Sequence, residues 1–273
     1  MNKFKYFLVK NKMIIIIASI ILVCAIAIAL GVYAQVTSRS EIKAKEKEQK
    51  GNYTELEENF DEIFTNTINK EAGANQDINY DEIIYCAYGI DNADGNYNIS
   101  AKIPLFKLKN EVTEKINAEI YNTFAKTIID IVNNSNSHTT FNLDYVAYAN
   151  NNILSLVIKC TYKNGTNPQR KIIQTYNYDI ENNKLLDINE ILTYKNLNKD
   201  EVETKIAEKI KKENEEVKVF ADQGYNVFVR DESDGMYKVE KTPNFFLGKD
   251  NYLYLVYAYG NNNYTSELDL VIF

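Results

Sequence analysis

A single imidazole, His138, stands in the polar run NNSNSHTTFN, with no second histidine to share a proton or a metal ion. Histidine dyads, triads and histidine-rich metal sites are excluded by inventory. Asp91, Asn92, Asp94 and Asn96 invite a calcium reading, yet they lack the alternating spacing and closing glutamate of a calcium loop, and Asp94-Gly95 is a tight-turn signal. The other carboxylates mostly alternate with lysine on helix faces, as on a solvated surface. No phosphate loop, zinc spacing or nucleophile elbow occurs. The sequence therefore assigns no catalytic, metal or cofactor-binding residue and expects no cofactor and no enzyme. The enzymatic alternative, a glycan-modifying activity, survives only as a carboxylate pair assembled by the fold.

Two further sets of side chains could carry chemistry. Cys86 and Cys160 lie in apolar, strand-like segments and would either form a disulfide in an oxidising compartment or remain buried free thiols. Tyr252, Tyr254, Tyr257, Tyr259 and Tyr264 crowd the end of a chain that holds 21 tyrosines. They either pave a sheet face or offer a ligand face for glycan or protein.

The elements that must position these groups begin with Met13–Tyr33, 21 residues without a charge. About 20 apolar residues cross a hydrocarbon core, and a run apolar on every face reads as a transmembrane helix. Lys3, Lys5, Lys10 and Lys12 precede it without an acid, which keeps residues 1–12 cytoplasmic and sends the bulk of the chain outside a cell membrane crossed once. Val32 and Ala34 are small residues ahead of a candidate signal-peptidase cut between Ala34 and Gln35, so the span is read as a retained anchor with cleavage as the alternative. No small residue precedes Cys24 as a lipidated cysteine would require. The whole chain carries −7, and setting aside the four lysines of the first 34 residues leaves −11. An acidic exterior steers cationic partners and disfavours nucleic acid.

Residues 35–75 read as a polar stalk followed by an amphipathic helix through Leu56, Phe60, Ile63, Phe64 and Thr67. Segments 81–90 and 97–103 predict a hairpin about Asp94-Gly95. After Pro104, Leu108, Val112, Ile116, Ile120, Phe124, Ile128 and Ile131 mark one long helix that should lie across a sheet. FNLDYVAYA, ILSLVIKCTY and KIIQTYNYDI alternate with period two and predict an antiparallel meander, with Leu154, Leu156, Ile158, Cys160 and Tyr162 on one face. Asp187 with Glu190 has the spacing of a capping box for a short helix at 187–194, and 198–217 is a second helix with Val202, Ile206 and Ile210 on its stripe. YNVFVR, MYKVEKT, NFFLGK, NYLYLVYAYG and TSELDLVIF read as strands, the last ending the chain inside the sheet. The fold class is α+β: a transmembrane helix, then two helix-plus-antiparallel-sheet halves at 80–180 and 185–273.

The pieces NEVTEKINAEIYNTF, NNILSLVIKCTY, YNYDIENNKLLDINEIL and LYLVYAYGNNNYTSELDLVIF, in that order, resemble the paired extracytoplasmic domains of the anti-sigma-V factor (RsiV) family. The first half is similar to the N-terminal domain of the peptidoglycan deacetylase PdaC. The resemblance covers 81–273 and implies a Gram-positive cell-envelope module that binds or senses cell-wall glycan or a lysozyme-like protein, with a purely structural envelope role as the other non-catalytic alternative. A cytoplasmic tail of only MNKFKYFLVKNK spans about 18 Å as a helix, too little to wrap a sigma factor, so that partner is not expected. The turn where relatives carry Gly-Gly-Ala-His reads KNGTNPQ here, and any role tied to that histidine is absent.

Overall fold

The computed structural model describes residues 53–225, 227–258 and 268–273. The expected tail, membrane span and cut site, most of the stalk, and Tyr259 and Tyr264 lie outside the described residues. No helix among the described residues is long and apolar enough to cross a membrane. The chain divides into two compact units, 1–60 and 61–273. In the first, residues 53–58 are helical. The helix expected to run on to Thr67 does not: β1 (Thr67–Lys70) is a strand. Its residues pair in parallel with a longer strand, β4 (Thr139–Asn150), and Asn66, at φ 55°, turns the chain into that register.

The second unit is built on a seven-stranded sheet and a separate three-stranded one. β2 (Ile84–Ala93) and β3 (Tyr97–Phe106) form the expected hairpin. Asp94 closes it by accepting from the Asn96 and Tyr97 amides at 2.5 and 3.0 Å, which is turn chemistry. β4, β5 (Ile153–Asn164) and β6 (Arg170–Asp179) form the antiparallel meander, and β7 (Lys184–Leu185) adds a short edge. The sheet is mixed, correcting the antiparallel expectation, because β3 pairs with β4 in parallel. The intervening helix supplies the long crossover that parallel pairing needs. β3 covers only Thr139–Leu143 of β4, and β1 takes Val146–Ala149 on the same edge.

That crossover is α1 (Glu111–Ile120), a π-helical turn (Tyr121–Ala125) and α2 (Lys126–Asn134). Asn110 caps it, accepting from Thr113 N while Thr113 Oγ1 accepts from Asn110 N. Residues 112, 116, 120, 124 and 128 recur every four positions, so on an ideal helix the stripe would drift about 40° at each step. The wider π turn takes up most of that drift. Ile116, Ile120, Phe124, Ile128 and Ile131 thus stay buried on one sheet face, against Leu154, Leu156, Ile158 and Cys160 of β5.

The opposite face is buried as well. β8 (Asn244–Leu247), β9 (Leu253–Ala258) and β10 (Leu268–Ile272) form the small antiparallel sheet. Leu253, Leu255, Tyr257 and Val271 make a second core with α3 (Ile188–Tyr194) and with Val202, Ile206 and Ile210 of α4 (Lys199–Asp222). α3 opens with the expected capping box of Asp187 and Glu190. Phe273 pairs with Leu253, so the terminus is part of the sheet. A Cβ at Gly248 would stand 2.5 Å from the Tyr254 ring, which only glycine avoids.

Two expected strands do not form. The segment at 227–230 has no strand partner, because the side chain of Asn214 on α4 takes both backbone groups of Arg230, at 3.0 Å each. Residues 235–241 wind into two short 3-10 turns, the first capped by Asp234.

β8 meets the large sheet through side chains. Phe245 N donates to Thr175 Oγ1 (3.1 Å) and Phe245 O accepts from Asn177 Nδ2 (2.8 Å); Leu247 N donates to Ser155 Oγ (3.1 Å) and Leu247 O accepts from Asn150 Nδ2 (3.4 Å). Ser155 Oγ in turn donates to Asn177 Oδ1 at 2.6 Å, and Ser155, Asn177 and Asn150 are buried. Replacing Asn177 by Ala leaves the Phe245 carbonyl without a donor and the Ser155 hydroxyl proton without its acceptor, and should cost about 1–3 kcal/mol. Urea unfolding of Asn177→Ala against the parent checks it, with Asn133→Ala at an exposed position of α2 as the control.

Candidate functional site

Two local irregularities converge on one groove. In β2 the pairing slips between Cys86 and Tyr88, so Tyr88 stands opposite Ile103 and shares its helix-side face. The helical layer does not reach over this edge strand, and Tyr88 remains 56% exposed. Opposite it, the π turn presents Tyr121 and Ala125, and α2 presents Ile128 and Ile129. The walls enclose 460 Å³, with Gly89 and Ile90 completing the strand side. A side chain at Gly89 would meet nothing within 4 Å. The lining carries no ionisable group besides the tyrosine hydroxyls. It can hold apolar side chains or the face of a sugar ring, and it has nothing with which to catalyse.

A second cleft, of 390 Å³, lies between α4 and β10 and brings three carboxylates together: Glu213, Glu216 and Asp269. Each already has a cation. Lys209 meets Glu213 at 3.1 Å, Lys212 meets Glu216 at 3.6 Å, and Arg230, itself buried, pairs with Asp269. Burial pushes the Asp269 carboxyl above its ordinary value while Arg230 pulls against it. The Arg230–Asp269 pair is buried, while Lys209–Glu213 is half-buried and Lys212–Glu216 lies on the exposed face of α4. A general acid or nucleophile would need one of these carboxylates aimed into open space.

The tyrosines singled out in the sequence are not a ligand face where the structure describes them. Tyr254 is buried and stacks on Phe246 at 4.6 Å, which stacks on Tyr148. Tyr257 is buried with its hydroxyl 2.8 Å from Thr242 Oγ1. Tyr252 is half-buried. Alternation in an inner strand of the small sheet explains the correction: both faces of β9 are covered, one by the second core and the other by the ring stack. Among the described residues the exposed tyrosines are instead Tyr88 and Tyr121 at the groove, with Tyr85, Tyr194 and Tyr225 elsewhere. No sequence signal marked them, because the slip in β2 that places Tyr88 is a pairing event.

Cys86 and Cys160 are both free thiols, which corrects the disulfide alternative. Cys160 is enclosed beneath the helical layer, while Cys86 sits exposed on the edge strand with its thiol 3.5 Å from Tyr88 O. His138 is exposed in the connection after α2, where its carbonyl accepts from Gly165 N. Among the described residues no group of three His, Cys, Asp or Glu side chains could hold a metal ion.

No protein-family model matches the chain. No curated protein matches it either. Among solved structures it is similar to a DUF3298 family protein from Pseudomonas aeruginosa PAO1, 16% identical, covering 66% of this chain and 83% of that one at a TM-score of 0.41. It is also similar to a DUF3298 family member from Bacteroides fragilis NCTC 9343, 13% identical, covering 64% and 81% at a TM-score of 0.33.

Two measurements check this geometry. With Cys24 replaced by Ala, a maleimide should label the native protein once, at Cys86; Cys160, whose thiol burial pushes up to about 12, should react only after unfolding. The raised Asp269 pKa means the folded state holds this proton more tightly than the unfolded chain. Its stabilising contribution is present below the ordinary value of 3.8 and is lost as pH rises through the native pKa. Urea midpoints followed upward from pH 4 should therefore fall less steeply in Asp269→Asn than in the parent.

Proposed function

We propose that the chain is a non-catalytic binding or sensing module of the cell envelope. In this reading residues 13–33 tether it in the membrane and the unit at 61–273 meets its ligand outside. The finer likeness to the RsiV and PdaC extracytoplasmic domains belongs to this proposal, as does the Gram-positive setting. The single observation that carries it is the groove between β2 and the π turn, where Tyr88, Tyr121 and Ile129 remain exposed around an apolar floor. Rigid tyrosines around an apolar pocket supply contact area at low entropic cost, as binding surfaces do. The pairing of every carboxylate in the acidic cleft supports binding over hydrolysis. The acidic balance of the outer chain favours a cationic protein such as lysozyme, which would place an apolar side chain in the groove, with cell-wall glycan as the other ligand class.

Immobilised full-length chain should retain lysozyme or sonicated wall fragments. Ile129→Glu puts a charge on the apolar wall and should weaken retention by about tenfold or more, the loss expected of one central contact residue. Its thermal midpoint should stay near that of the parent, since Ile129 is a surface position. Equal retention by the variant, or none by the parent, would sink the reading.

A further inference from the structure

On the other side of α2 lies a pocket of opposite character. It encloses 320 Å³ where α2 ends, and Asp130, Asn134, Asn136, Thr139, Tyr162 and Asn164 are among the residues that line it. Its floor is fixed by hydrogen bonds among three separate segments. Ser137 Oγ donates to Asn164 Oδ1 at 2.5 Å, Thr139 Oγ1 lies 3.0 Å from Ser135 Oγ, and Ser135 Oγ reaches the Asn96 carbonyl at 3.2 Å. Gly165 N donates to His138 O, which ties the end of β5 to the connection after α2. Thr139 is 2% exposed, so this network is part of the packed structure.

The rim is the reverse. Among the described residues the Asp130 carboxylate, the Asn134 and Asn136 amides and the Tyr162 hydroxyl have no hydrogen-bond partner, and α2 ends here, where final carbonyls lack intrahelical donors. The ring of Tyr162 is held edge-on by Phe141 at 6.2 Å. None of the lining residues is basic, which removes phosphate, sulfate and carboxylate ligands. Asp130 is the one carboxylate in the lining, too little negative charge to favour a divalent cation. Unengaged groups able both to donate and to accept, beside one aromatic ring, are what vicinal hydroxyls and a pyranose face require. The volume lies at the lower end of the roughly 300–1,000 Å³ of small-molecule sites.

We propose that this pocket is a saccharide-binding site, which takes one sugar ring of a neutral glycan with its hydroxyls on Asp130, Asn134 and Asn136 and its ring face toward Tyr162. The site is separate from the groove and does not depend on the reading given to it.

Calorimetric titration of the full-length chain with chitotetraose, a β-1,4-linked N-acetylglucosamine tetramer, and with maltotetraose tests it. At least one tetrasaccharide should bind with millimolar affinity or better. The double variant Asp130→Ala, Asn136→Ala, both at exposed positions, should weaken binding about tenfold, two lost hydrogen bonds, with the thermal midpoint unmoved. Val219→Ser, exposed on α4 and in neither site, should leave saccharide affinity unchanged, whereas sugar binding lost in Ile129→Glu but kept in the double variant would put the saccharide in the groove and overturn this site. No heat from either sugar at millimolar concentration, or equal binding by the double variant, would overturn the proposal.

Discussion

Every sheet that ends must dispose of the backbone amides and carbonyls along its edge, and in this chain asparagine and hydroxyl side chains do so. A carboxamide carries one acceptor and two donors in the same plane as a peptide, so it can stand in for a neighbouring strand. Asn117 takes both backbone groups of Phe106, at 2.8 Å each, at the last residue of β3, beyond the stretch that β4 pairs. Asn214 does the same for Arg230, and Asn150, Ser155, Thr175 and Asn177 take the four outward groups of β8. A buried backbone group left unpaired costs about 1–3 kcal/mol. With only 5–15 kcal/mol separating folded from unfolded chains, the β8 contacts decide whether the small sheet can rest on the large one.

From that docking the rest of the architecture follows. Ile153, Ser155 and Val157 face the small sheet while Leu154, Leu156 and Ile158 face the helices, so β5 is buried on both sides along half its length. A strand in that position fixes its register twice, because a slip by one residue would exchange serine for leucine on each face. The helical layer is thereby held over β3 to β6, and β2 is left as an uncovered edge. The groove is a consequence of where the layer stops.

The legible parts of the sequence were those governed by local chemistry. Asp187 with Glu190 marked a cap, Asp94-Gly95 marked a turn, and the parity of Leu154 to Tyr162 marked the core face, since each depends on spacing within a few residues. The segments TINK, YNVFVR and MYKVEKT went astray for one reason. Their propensity is real, but the partner that decides their state lies far along the chain: β4 for the first, Asn214 for the second, and the Asp234 cap with the second core for the third. Tyr254 and Tyr257 stayed between packing and a ligand face for a related reason, because alternation in a strand shows which side chains share a face and not whether that face is covered. The candidate sites were less legible still. The polar run NNSNSHTTFN was visible as a turn, but only folding sets it beside Asp130 and Tyr162.

Both proposed surfaces lean on α2, and the π turn that precedes it explains how one helix can serve two. An unbroken α-helix would carry its apolar stripe around the axis and turn Ile128 away from the sheet. With the extra residue absorbed at Tyr121–Ala125, Ile128 and Ile131 remain inward, which leaves Ile129 on one flank and Thr127, Asp130 and Asn134 on the other. Wide turns have poorer hydrogen-bond geometry than the α-helix and persist where packing over-determines them. Here the packing is Phe124, enclosed beneath the turn and buried in the first core. A substitution there acts on groove and pocket together, whereas Ile129 and Asp130, on opposite flanks, act on one each.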